Sequence, residues 1–143
     1  MRRWPNREKQ LGLPAVSVEK LRRIGDRAFA GLEIMKRAGV KMGLGTDLLG
    51  AQHVRQTAEF TLRAQVLPAI DILRSACAVN AELLGQSGRL GTVREGAAAD
   101  LLLVDGNPLE DISVLARDGE RLLVIMKDGT FHKRANRPDA PRV

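Results

Sequence analysis

Asp47 is the residue best placed to do chemistry. It closes the run Val40-Lys41-Met42-Gly43-Leu44-Gly45-Thr46-Asp47, which is short, glycine-bearing and partly apolar and reads as a strand following a tight turn at Gly39. In α/β barrels the reacting groups sit at the carboxyl ends of strands, where loops surround a common cavity, and a carboxylate there could bind a metal or act as a base. An Asp after a strand is also a common turn former or helix cap, so spacing alone leaves both roles open. The other candidate groups are few: two histidines, His53 and His132, and one cysteine, Cys77. A single cysteine makes neither an internal disulfide nor a zinc-binding cysteine cluster, in keeping with a reducing compartment. A catalytic metal takes about three protein ligands and an open position, so Asp47 with His53 alone would not hold one tightly.

The elements that must position Asp47 can be read from periodicity. Ser17 can cap a helix whose apolar positions Leu21, Ile24, Ala28, Leu32 and Met35 recur every three or four residues and which ends near Gly39. After Asp47, a second helical stretch covers Gln52 to Gln65. A third starts at Pro68 and runs through Ile70, Leu73 and Cys77, and Asn80 caps a last short turn ending at Gly85. Beyond Gly85 the pattern changes to short β segments, Leu90 to Val93, Asp100 to Val104 and Leu122 to Lys127. Leu101-Leu102-Leu103-Val104 is continuously apolar, which predicts burial on both faces. Asp105-Gly106-Asn107-Pro108 is a turn, and Asp128-Gly129 is a two-residue hairpin signal that leaves His132 facing solvent. The tail from Arg134 to Val143, with two prolines and three arginines, is expected to fray.

The net charge of +6 and pI near 10.2 raise the question of a nucleic-acid partner. Residues 1–37 carry ten Lys and Arg against four Asp and Glu, and the remainder is balanced. Lys20, Arg22, Arg23, Arg27 and Lys36 fall on the polar face of the first helix, so most of the excess is a solvated helix face. Aromatic residues make up only 3% of the chain, too few for a stacking platform, and no base-reading motif is present. Nucleic acid is therefore not expected as a partner, although a steep salt dependence of binding would restore it. The absence of a long apolar run and the polar start from Met1 to Gln10 predict a cytoplasmic protein with no membrane partner.

Several motifs in order resemble the C-terminal third of the amidohydrolase superfamily, especially its dipeptidase-like and imidazolonepropionase-like metal hydrolases. They are Arg37-Ala38-Gly39-Val40 leading to Gly45-Thr46-Asp47-Leu48, then Val79-Asn80-Ala81-Glu82-Leu83-Leu84-Gly85 and Gly91-Thr92-Val93-Arg94-Glu95-Gly96. Ala99-Asp100-Leu101-Leu102-Leu103-Val104-Asp105-Gly106-Asn107-Pro108 and Val124-Ile125-Met126-Lys127-Asp128-Gly129 follow. The resemblance implies that Asp47 ends the eighth barrel strand, ligates a catalytic divalent metal, zinc being the expected one, and shuttles a proton between water and leaving group. It also implies that His53 and Gln56, in the loop after the metal aspartate, face the substrate, though nothing in their spacing excludes an exposed His53 at a helix start. The family's other ligands, a His-x-His pair, a bridging lysine and two further histidines, have no counterparts here. Strands that would complete a small β-sandwich are also missing, which leaves strand edges prone to self-association and a homo-oligomer open.

The expectation is an α/β fold: the C-terminal fragment of a TIM-type (β/α)8 barrel, which in full needs roughly 250 residues, followed by part of a small β-sandwich. Residues 1–85 would hold the last barrel helices and the eighth strand, 86–133 the sandwich strands and 134–143 a flexible tail. Folding alone, the chain would pack its first helix and the Pro68 helix beside the Gly43 strand, with the last strands as a separate small sheet. The implied function is hydrolysis of amide or other C–N bonds in small molecules or dipeptides by the parent enzyme, with no tightly bound metal and no activity in this chain by itself. The alternative is a non-catalytic remnant that docks onto a partner chain.

Overall fold

The computed structural model describes residues 14–116 and 119–135; the polar start and nearly all of the arginine-rich tail lie outside them. Helix α1 spans Ala15–Arg37. Pro14, not Ser17, begins it: the extended Pro14 backbone turns its carbonyl to accept the first bonds, from the Ser17 and Val18 amides at 2.9 and 3.1 Å. The helix ends where the sequence places its end. Gly39 is left-handed at φ +67°, and the Val40 amide reaches back to the Met35 carbonyl at 3.0 Å, closing the turn with a residue that carries no Cβ penalty. Of the predicted apolar stripe, Ile24, Ala28 and Met35 are exposed and Leu32 is half-buried, whereas Gly25 and Phe29 are buried. Lys20, Arg23, Arg27 and Lys36 stand in solvent as expected of a polar face.

Residues 40–49 form no strand, although a strand is predicted there. A strand needs a ladder partner for its backbone groups, and none lies alongside among the described residues. The helix expected over 52–65 is likewise broken, into a 3-10 turn at Gly50–Arg55 and a short α2 at Ala58–Arg63. Pro68 does open the next helix, its carbonyl accepting from Asp71 and Ile72. That helix runs without interruption through α3 (Ala69–Arg74), a wide π turn (Ser75–Val79) and α4 (Asn80–Leu83). The Ser75 hydroxyl donates to the Asp71 carbonyl at 2.9 Å where the turn widens. Asn80 is helical and caps nothing, and Gly85, at φ +65°, ends the helix.

Three antiparallel strands follow, β1 (Leu101–Val104), β2 (Leu122–Lys127) and β3 (Thr130–Arg134), in the order β1-β2-β3. Leu101 faces Met126 and Val104 faces Leu122, while Lys127 pairs with Thr130 across the turn. Asp128 and Gly129 take φ +47° and +76°, both central residues left-handed as a tight hairpin requires. The segment predicted as a strand at Leu90–Val93 makes only a single bridge between Ser87 and Leu90, interrupted by left-handed Gly88 and Gly91. Nor is β1 buried on both faces. Leu102 and Leu103 are 57% and 55% exposed, because β1 is the edge of the sheet and nothing described lies over it.

The core gathers Leu67, Ile72, Ile112, Val114 and Leu115, with Ile72 fully enclosed. Met42 and Leu44 from the 40–49 segment, Leu73 from α3, and Val104 and Leu122 from the sheet pack on it. One apolar cluster thus joins the segment before Asp47, the Pro68 helix and the sheet.

The hairpin turn is tied back to the chain entering β1. Asp100 accepts from the Asp128 amide at 2.8 Å and from the Lys127 ammonium at 2.7 Å, and these two bonds hold its carboxyl below the ordinary aspartate range. A carboxylate depressed by folding contributes stability above its unfolded pKa of about 3.9 and loses it as pH falls through the lower folded value. The stability difference between the native chain and Asp100→Asn should be constant above about pH 5 and shrink below about pH 4. Denaturant titrations across pH check this, and a difference that grows on acidification would refute the assignment.

Candidate functional site

Asp47 lies in the 40–49 segment, which has no regular secondary structure, and is exposed and at φ +50°. Aspartate tolerates the left-handed region better than most residues, and its appearance away from a regular turn is worth a functional question. Three contacts fix the backbone that delivers it. The Asn80 side chain bonds both polar groups of Leu44, its Oδ1 accepting from the Leu44 amide at 3.0 Å and its Nδ2 donating to the Leu44 carbonyl at 2.8 Å. Gly43 lies so close that an added Cβ would sit 2.6 Å from both Asn80 Oδ1 and Leu83 Cδ1. Lys41 pairs with Glu82 at 2.6 Å in solvent, a contact worth little in energy at such exposure.

His53 lies exposed in the 3-10 turn Gly50–Arg55, and Gln56 follows it with its amide on the His53 carbonyl at 3.1 Å. Both line a groove of about 790 Å³ whose other wall includes Ala116, Leu122 and Ile125. Asp47 does not line it. The structure therefore brings His53 and Gln56 to one concavity, polar on the turn side and apolar on the sheet side, and leaves the carboxylate apart from it. His132 is exposed on β3.

A resident metal is not accommodated by these groups alone. Among the described residues no three His, Cys, Asp or Glu side chains cluster as a metal site would require. Desolvation pushes the Cys77 thiol up from its ordinary value, although the residue is exposed. Asn80, expected as a helix cap, instead clamps Leu44 across the fold. The signal available was its place in the Val79-Asn80-Ala81-Glu82 motif.

The sequence model of the amidohydrolase family matches residues 6–130. A prolidase solved in complex with N-methylphosphonate-L-proline is 45% identical, with a TM-score of 0.81 over 90% of this chain and 31% of its own. A Xaa-Pro dipeptidase solved with methionine in its active site is 33% identical, with a TM-score of 0.74 over 85% of this chain and 29% of its own. Ochratoxinase from Aspergillus niger is 30% identical over 124 residues, 85% of this chain and 25% of the relative. The chain thus spans between a quarter and a third of the length of the proteins it is similar to. Among the described residues no helix is long and apolar enough to cross a membrane.

Proposed function

The chain belongs to the amidohydrolase family, and from that premise we propose that it supplies the C-terminal part of a metal-dependent hydrolase that cleaves the amide bond of a dipeptide, one ending in proline being the favoured substrate. The observation that carries this reading is the 45% identity to a prolidase at a TM-score of 0.81 over nine-tenths of the chain. Asp47 is its catalytic and metal-binding carboxylate, one ligand of a cage whose other members lie outside these residues. His53 and Gln56, in the loop after Asp47, are assigned to face the substrate, although the groove that they line in this chain does not include Asp47.

A divalent metal, zinc in the first instance, supplies such an enzyme with a water whose pKa falls towards about 7. The barrel architecture belongs to the same proposal. It is supported by the strand-like composition of residues 40–47, which pair with no strand among the described residues, and by the exposed Leu101–Leu103 edge, which a second layer would cover.

On this reading the chain by itself is inactive. The purified chain, incubated with zinc and a panel of Xaa-Pro and other dipeptides, should show neither stoichiometric metal after desalting nor turnover above the blank. Turnover abolished by Asp47→Asn would show that the site is complete within these residues, or within an oligomer of them, and would overturn the proposal of a partial site.

A further inference from the structure

Helix α4 contacts the segment that leads to Asp47 through Asn80. A partly buried peptide outside helix and sheet has to find partners for its N–H and C=O elsewhere. Leu44 satisfies both through one side-chain amide, with Asn80 accepting at 3.0 Å and donating at 2.8 Å. The amide group carries a donor and an acceptor side by side, so Asn80 takes the place of a strand's peptide unit, which no other natural side chain but glutamine could attempt and glutamine is one methylene longer. Gly43 completes the fit, since any Cβ there would collide with Asn80 Oδ1 and Leu83 Cδ1 at 2.6 Å.

The helix is built to present Asn80 there. Ile72 and Ser75 face inward, at 0% and 6% exposure. On a regular helix the face that starts at Ile72 returns seven residues on, at Val79. The π turn over Ser75–Val79 inserts one residue and so rotates the residues after it about the helix axis; beyond the turn Ala81 is buried and Asn80 half-buried beside it. Asn80, the first residue after the wide turn, is the one whose amide meets the Leu44 peptide.

We propose that Asn80 is a positioning residue: through its two bonds to Leu44, seated on the bare Gly43, it fixes the backbone three residues before Asp47 and with it the left-handed conformation in which the Asp47 carboxylate is presented. The functional value of that placement rests on the reading of Asp47 as the catalytic carboxylate; the clamp itself does not.

Amide exchange and backbone chemical shifts of the full chain test it, with Asn80→Ala and Asn80→Asp compared to the native chain. In Asn80→Ala the Leu44 amide should lose protection by about tenfold, the worth of one net hydrogen bond, and the Asp47 Cα and Cβ shifts should leave the left-handed range, while the amides of Ile125 and Met126 in the hairpin keep their protection. Asn80→Asp at neutral pH keeps the acceptor for the Leu44 amide and loses the donor to its carbonyl, so it should fall between the two. It also serves if the alanine variant does not fold. Unchanged Leu44 protection in the two variants would overturn the clamp, and lost Leu44 protection with unchanged Asp47 shifts would overturn the positioning role. Neither readout depends on catalysis, so an inert Asp47 would show itself in kinetics and not here.

Discussion

Ile72→Ala should lower the melting midpoint of the chain by roughly 10–20 °C and flatten its unfolding transition. Among the described residues Ile72 is the one large side chain fully enclosed, and it belongs to the cluster that joins α3, the Ile112–Leu115 turn, the segment before Asp47 and the sheet. Removing a buried isoleucine side chain costs about 2–5 kcal/mol. A domain of this size has about 5–15 kcal/mol in total, and each kcal/mol moves the midpoint by several degrees. The exposed face of this chain is large, with Leu102, Leu103, Leu83 and Leu84 each more than half open, so its margin is expected at the low end. Ile70→Ala, on the same helix but 41% exposed, should cost well under half as much. Circular dichroism melts of the three chains decide it, and equal midpoints for Ile72→Ala and Ile70→Ala would mean that the cluster does not hold the fold together.

What could be read from the sequence was what depends on near neighbours. The Gly39 helix end, the Pro68 helix start, the Asp128-Gly129 turn and the bounds of β2 at Leu122–Lys127 follow from the conformational demands of a few adjacent residues, and the structure shows each of them. The failures share a cause in groups far apart along the chain. Among the described residues, the 40–47 segment has a strand's composition without a ladder partner, and Leu101–Leu103 has a buried strand's composition without a covering layer. Asn80 lies just beyond a π turn that no periodicity rule anticipates, and its partner is 36 residues away.

The site divides in the same way. Asp47 was legible as a carboxylate after a glycine-bearing run, and its proposed role rests on similarity to known proteins. The groove that collects His53 and Gln56 exists because residues 53–58 meet β2 and Ala116, a juxtaposition that no spacing within the loop encodes.

The central claim, that this chain carries the Asp47 carboxylate of a hydrolase whose other ligands lie elsewhere, has a direct test in a chimera. Residues 14–135 would replace the corresponding segment of the prolidase to which the chain is 45% identical, and the metal content and kcat on Xaa-Pro dipeptides would be measured with Asp47 and with Asp47→Asn. Asparagine is close to isosteric and tolerates the left-handed backbone at φ +50° at least as well, so the change removes charge and basicity with little else. The chimera should bind metal and turn over, and Asp47→Asn should lower kcat by about 10²–10⁴-fold, the usual contribution of a positioned acid–base group, with weakened metal retention. A folded, metal-loaded, active chimera in which Asp47→Asn leaves kcat unchanged would contradict the account.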